Sequence, residues 1–226
     1  MDLNDKVVLI NGASSGIGAA TAIYLSKQSA KLFWLGLTSD VDCERIVNET
    51  IEHHGKVDVL VNNAGVIGMG GIKNSTLETY DRVMSTNIRA VYLLTQLTVP
   101  YLIQSKGCVI NVSCVSSSKP STMALAYNIS KAALDHFTKC TALELAPDGV
   151  RVNSVNPGFV KTNLLKDIGL SEDQLELFVK NVVGNMPLKK AVEGDEVAAL
   201  IAYLASDKAK TITGSNFVID GGSILR

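Results

Sequence analysis

The chain has 226 residues, 46% of them hydrophobic and 19% charged, with a formal net charge of −1. That length suits one well-buried core, so a single domain over 1–226 is expected, and the balance excludes both a disordered chain and the basic field of a nucleic-acid-binding protein. Small molecules and other copies of the chain are the expected partners.

Cys43, Cys108, Cys114 and Cys140 form no CxxC pair and have no histidine at metal-ligand spacing, which reads as reduced thiols, no metal site and a cytoplasmic protein. His53, His54 and His136 read as surface residues. The amino terminus lacks the apolar core of a signal peptide, and no run approaches the ~20 apolar residues of a membrane helix.

Val7-Val8-Leu9-Ile10 is a short aliphatic run that suits a strand buried on both faces of a parallel sheet. It enters NGASSGIG at 11–18 and then a helical pattern over 19–29. Strand, glycine turn and helix amino terminus make an anion site: Gly12 permits the tight turn, Gly16 lets a pyrophosphate approach the backbone, and Gly18 allows close helix packing. A plain glycine turn is the alternative. KLFWLGL at 31–37 reads as the next strand. Where a dinucleotide fold places an acid for the ribose or a base for a 2′-phosphate, Gly36, Leu37 and Thr38 offer neither, and Asp40 lies slightly further on.

A helical pattern follows over 42–54, with Ile46, Val47 and Ile51 on its buried face and Gly55 as its stop. The strand at 57–61 ends in Asn62-Asn63-Ala64-Gly65, at the edge where such sheets bind ligands; an ordinary asparagine-glycine turn would look the same. Residues 77–104 carry Val83, Met84, Ile88, Val91, Leu94 and Leu97 at helical spacing, with Asn87 in mid-helix, where asparagine usually faces solvent or bonds locally. A strand at 108–112 leads into a serine-rich loop holding Ser113 and Cys114.

The helix over 124–145 carries Tyr127 and Lys131 four residues apart, hence on one face, where the ammonium favours the ionised phenol and the pair can exchange a proton near neutral pH. An amphipathic surface pair is the plainer reading. Residues 150–155 are strand-like and 156–162 turn away from the sheet. Residues 163–190 read as a helical excursion over the site, a substrate lid. A helix at 195–205 and the strand Phe217-Val218-Ile219 close the chain. This alternation predicts an α/β fold, a Rossmann-like doubly wound parallel sheet with helices on both faces and ligands along its carboxyl edge.

Together, NGASSGIG at 11–18, NNAG at 62–65, Asn87, YNISK at 127–131, NPGFVKT at 156–162 and IDGG at 219–222 resemble the short-chain dehydrogenase/reductase family in its single-domain form. The 3-oxoacyl-carrier-protein reductase-like branch is the nearest in pattern. The resemblance implies hydride transfer between NAD(P) and a carbonyl or secondary alcohol. Tyr127 would give or take the proton, Lys131 would lower the phenol pKa and hold the nicotinamide ribose, and Asn87 would position a relay water. Gly12, Ser14, Ser15, Gly16, Ile17 and Gly18 would cradle the pyrophosphate. Asn63, Ala64 and Gly65 would line the adenosine-ribose side, and Pro157, Gly158, Val160 and Thr162 would lie along the nicotinamide. The resemblance also implies a homodimer or homotetramer built on the helices at 80–104 and 124–145 and on the carboxyl-terminal segment.

The chain departs from the family in two places. The family's serine, thirteen positions before the tyrosine, is Cys114 here, a weak, long donor for the substrate oxygen. The adjacent Ser113 is expected to point to the opposite face of the strand. Residues 30–56 also have room for about one strand and one helix, where the family usually has two of each. A strand-helix unit is therefore expected to be missing, leaving Thr38-Ser39-Asp40-Val41 as the family's third strand end, with Asp40 and Val41 toward the adenine. The lack of an acid at 36–38 leans the cofactor toward NADP(H) over NAD(H). These departures keep a second reading open: a catalytically weak or inactive dinucleotide-binding scaffold, or a truncated isoform.

Overall fold

The structure is a computed structural model that describes residues 3–35, 40–162, 164 and 171–226. Among them, strands β1 (Val7–Asn11), β2 (Lys31–Leu35), β3 (Val59–Asn62), β4 (Cys108–Val112), β5 (Arg151–Pro157) and β6 (Asn216–Ile219) form one parallel sheet in the order β2-β1-β3-β4-β5-β6. The helices are α1 (Gly16–Ser26), α2 (Asp40–His54), α3 (Leu77–Met84), α4 (Ala90–Ser105), α5 (Leu125–Leu145), α6 (Glu172–Asn185) and α7 (Gly194–Ala205).

Alternation along the strands sorts their side chains into two cores. Val8, Ile10, Val59, Val61 and Ile110 pack with Leu25 of α1 and with Val197, Ile201 and Leu204 of α7 on one face. Leu9, Leu60, Val109 and Val152 pack with Ile46 and Val47 of α2, Leu94 and Leu102 of α4, and Ala142 and Leu145 of α5 on the other. Burying both faces explains why these strands are continuous apolar runs, each large side chain contributing about 1.5–3 kcal/mol.

The chain places β2 on one side of β1 and β3 on the other, so the strand order reverses between β1 and β3. That switch point opens a crevice at the carboxyl ends of the strands. Between α1 and β3 the described residues hold one strand and one helix, as the length of that segment requires, and β2 lies at the sheet edge. Asp40 and Val41 do not end a strand; they open α2. The acid in that first turn sits where the helix dipole favours negative charge, and it pairs with Arg89. Gly36, Leu37 and Thr38, which carry the lean toward NADP(H), lie outside the described residues, as do 163 and 165–170 of the proposed lid.

One row of polar residues crosses the sheet beneath the crevice. Asn11, Asn62, Asn111, Ser154 and Asn216 are register partners in turn. Asn11 Nδ2 donates to Asn62 Oδ1 at 3.5 Å, Asn62 Nδ2 to Asn111 Oδ1 at 2.9 Å and to Thr95 of α4 at 3.2 Å, and Asn111 Nδ2 to Thr138 of α5 at 2.9 Å. Ser154 Oγ stands 3.0 Å from Asn216 Oδ1. These buried amides are tolerated because each finds partners.

The helix expected over 77–104 is interrupted by a π turn, Ser85–Arg89, between α3 and α4. Asn87 is the buried residue of that turn, and such turns often mark functional positions.

Candidate active site

A crevice of about 500 Å³ runs from the glycine turn to α5. Gly12, Ser14, Ser15, Gly16 and Ile17 line one end, with Thr162 beside Gly16, Asn63 to Val66 line the side, and Val112, Ser113, Tyr127 and Lys131 line the end at α5, while Leu164 also contributes to the wall. Gly12 and Gly16 adopt φ of +67° and +57°, which glycine reaches without strain. A Cβ on Gly12 would come 2.8 Å from Ala64 Cα, and one on Gly18 would come 2.3 Å from Gly12 O and 2.4 Å from Asn63 Nδ2.

Asn11 clamps this turn to the end of β3. Its Oδ1 accepts from the backbone N–H of Asn63 and Ala64 at 2.5 and 2.6 Å, while Asn63 Nδ2 donates to Asn11 O at 3.1 Å and Gly12 O at 2.8 Å. The NNAG stretch is thus a buttress for the glycine turn as well as a wall. Ser15 makes no side-chain cap on α1, so that helix amino terminus faces the crevice with donors for an anion. Gly18→Ala should displace this buttress. The expected outcome is a loss of about 1–3 kcal/mol from overpacking, read as a thermal midpoint lowered by about 2–4 °C per kcal/mol, together with weakened dinucleotide binding in a fluorescence titration.

Tyr127 is 9% exposed and Lys131 4%, both on the sheet-facing side of α5. Lys131 Nζ lies 5.6 Å from the Tyr127 ring centroid and donates to Val112 O at 2.8 Å. Burial sets the proton affinities: it lifts the Tyr127 phenol well above its ordinary value, with Cys114 acting in the same direction, and it lowers Lys131 to about 8, against the opposing pull of Cys114 and Asp135. Burial thus acts on the phenol in the direction opposite to the one expected of Lys131, and the same removal of water disfavours the ammonium.

Cys114 follows β4 and packs against the small buried cluster of Val83, Ala124, Ala126 and Tyr127. Its thiol acts on the Tyr127 phenol in the direction of higher proton affinity. Ser113 is buried, and its Oγ donates to the Lys131 carbonyl at 3.3 Å, so the hydroxyl is committed away from the position that Cys114 holds. Asn87 is buried in the π turn; its Oδ1 accepts from Val66 N–H at 2.9 Å and its Nδ2 donates to Val66 O at 3.0 Å and Ser130 Oγ at 3.0 Å. Its side chain joins the end of β3 to α5 and does not line the crevice; Thr86, its neighbour, does.

Other expected positions divide. Thr162 lines the crevice beside Gly16, whereas Pro157, Gly158 and Val160 lie off its wall: Pro157 ends β5, Gly158 N–H donates to Ile219 O at 2.9 Å, and Val160 bridges to Val192. Asp40, Val41 and Cys114 are also off the wall, which takes Ser113 beside Cys114. Arg89 holds the Asp40 carboxyl below its usual range, and Val41 is exposed. Sequence reasoning missed Val66, Thr86, Val112, Ser113 and Leu164 as wall residues. Val66 and Thr86 adjoin NNAG and Asn87, a signal that could have found them. Among the described residues no group of His, Cys, Asp or Glu is arranged to hold a metal ion, and no helix is long and apolar enough to cross a membrane.

A parallel sheet with a glycine turn at its switch point, a helix amino terminus aimed into the crevice and a buried Tyr–Lys pair at the far wall defines a dinucleotide-dependent oxidoreductase. A family model described as enoyl-(acyl carrier protein) reductase matches residues 34–223. The chain is 32% identical to meso-2,3-butanediol dehydrogenase of Serratia marcescens over 99% of this chain and 96% of that one. The ligand-free aldohexose dehydrogenase of Thermoplasma acidophilum superposes with a TM-score of 0.92 at 29% identity, over 99% of this chain and 96% of that one. The 3-ketoacyl-(acyl-carrier-protein) reductase of Brucella melitensis, solved with NADH, gives 0.89 at 28% identity over 99% and 100%. The chain belongs to the short-chain dehydrogenase/reductase family and is an NAD(P)-dependent oxidoreductase.

Proposed function

We propose that the protein reduces the carbonyl of a small molecule, with Tyr127 giving the proton to the nascent alkoxide and NADP(H) as the preferred cofactor. The observation that carries this reading is the buried Tyr127–Lys131 pair on the wall of a crevice that begins at the glycine turn. The residues fit a dinucleotide: the two left-handed glycines leave backbone space that a Cβ would fill, beside an open helix amino terminus. The bound nicotinamide would supply the hydride.

The chain's own residues do the rest. Gly12, Ser14, Ser15, Gly16, Ile17 and Gly18 hold the pyrophosphate, and Asn63, Ala64 and Gly65 flank it. Thr162 lies toward the nicotinamide, with Pro157, Gly158 and Val160 shaping the turn behind it. Tyr127, kept protonated by burial, holds the proton that reduction of a carbonyl requires. Lys131 turns from Val112 O toward the ribose and keeps positive charge beside the phenol. Asn87 fixes the Val66 and Ser130 segments around a relay water. Cys114 donates weakly to the substrate oxygen, so turnover is slow but present. Residues 163–190 act as the lid; α6 within them buries none of its described residues fully and touches the site segment through the Phe159–Phe178 ring pair at 6.3 Å.

Compounds bearing a second oxygen near the carbonyl are the first substrates to try, since one relative is named for butanediol and one neighbour for a 3-ketoacyl thioester. The alignment to the Serratia enzyme runs over 247 positions, more than the 226 residues present, which supports the reading that a strand-helix unit beyond β2 is missing. The exposed Tyr92 and Ile103 of α4 and Leu143 of α5 support a homodimer or homotetramer.

One experiment tests the whole reading: titrate the purified protein with NADPH and NADH, then follow nicotinamide absorbance with diketones and acyl thioesters. Tighter NADPH binding with turnover is expected. Binding without turnover on any of them would favour the scaffold, and tighter NADH binding would reverse the cofactor preference.

A further inference from the structure

Asp135 belongs to none of the motifs that point to the site, yet it shares a stripe of α5 with Tyr127 and Lys131, at spacings of four and eight residues. Its carboxylate meets Asn156, a 2% exposed residue on the same face of β5 as Ser154. Asn156 Nδ2 lies 2.8 and 3.1 Å from the two Asp135 oxygens, 3.2 Å from Ser117 Oγ and 3.4 Å from the carbonyl of Cys114. Its own Oδ1 accepts from Ser154 Oγ at 2.7 Å. One amide thus ties α5, β5 and the turn after β4 together within a helical turn of the Tyr–Lys pair.

We propose that Asp135 and Asn156 form a positioning pair that sets Cys114 against Tyr127 and keeps a carboxylate one helical turn behind Lys131. The proposal rests on the reading of Tyr127 and Lys131 as the acid–base centre. An amide bridging a carboxylate and a backbone carbonyl uses both of its protons, so the turn carrying Cys114 is held from the sheet side. Asp135 takes part in no salt bridge among the described residues, and its partners there are neutral. Its charge is left to act on Lys131. The titratable groups that act on Lys131 are Cys114, from the turn after β4, and Asp135, from its own helix; β5 presents only the neutral Asn156 to this cluster.

Two readouts test the pair, the first without cofactor. Alkylation of Cys114 by iodoacetamide is followed by mass spectrometry, with the exposed Cys140 as internal reference. Asn156→Ala should raise the Cys114 rate at least about threefold, as expected when a buried tether is cut and the local opening equilibrium rises, with Cys140 unchanged. An unchanged Cys114 rate in folded protein overturns the positioning role. In Asp135→Asn, which keeps volume and folding, loss of the negative charge makes the Lys131 ammonium easier to deprotonate. The alkaline limb of the kcat profile should then move down by about half to one pH unit. A limb that stays in place overturns the electrostatic role, because a purely structural residue would lower kcat without moving it. If Tyr127→Phe leaves turnover intact, the acid–base reading fails separately, and the alkylation result still decides the tether.

Discussion

Tyr127→Phe is expected to reduce turnover by about 10²–10⁴-fold, the usual contribution of a positioned acid or base, while NADPH still binds and the fold is kept. The change removes only the phenol oxygen from a buried ring, so the packing of α5 is left in place. A variant as active as the parent would place the proton donor elsewhere. The pH dependence of the parent carries its own sign. Lys131 has its proton affinity lowered by burial to about 8, so its ammonium is present below that pH and lost above it. Carbonyl reduction should therefore fall as pH rises through about 8, measured as kcat at saturating substrate. The phenol itself, lifted by the same burial, stays protonated across that range and supplies no competing decline.

The second large effect runs the other way. Cys114→Ser should raise kcat, because a hydroxyl donates a shorter, stronger hydrogen bond to oxygen than a thiol does. A full donor to a developing oxyanion contributes about 2.7–4 kcal/mol. Cys114 already supplies part of that, so a gain on the order of tenfold is expected, with KM little changed since the bond strengthens as charge develops. Ser113 lines the crevice, but its hydroxyl donates to the Lys131 carbonyl and is less free to take the role. A serine variant no faster than the parent would mean that Cys114 does not touch the substrate oxygen, and that the weak-donor account of this site is wrong.

Much of the site was legible because its residues sit at short spacings with local causes. The glycines at 12 and 16 are required by a left-handed backbone and Gly18 by the close approach of Gly12, six residues back in the same turn-helix unit, and Tyr127 and Lys131 share a helix face by spacing alone. What escaped depends on distance through space. Asn11 reads as a strand-end residue, and its role as a clamp exists only once β3 lies beside β1. Asp135 and Asn156 are 21 residues apart and meet only when α5 packs on β5. Asp40 was misplaced because an acid suits a helix amino terminus and a strand end alike, and only the backbone decides between them. The direction of the Tyr127 shift was missed for a related reason: a neighbouring charge can be read from spacing, whereas dehydration is a property of the packed whole.

The polar row that crosses the sheet has a consequence for how this chain finds its alignment. Asn11, Asn62 and Asn111 project into the layer occupied by α2, α4 and α5, where Thr95 and Thr138 receive them. Parallel strands made of near-uniform aliphatics could slide past one another with little penalty. Here a slip of one residue would drive an amide into the apolar layer under α1 and α7 and strand its neighbours. The row therefore works as a vernier: it lets only one offset close at every strand, and that offset brings the glycine turn, the NNAG buttress and the tyrosine helix level at one edge.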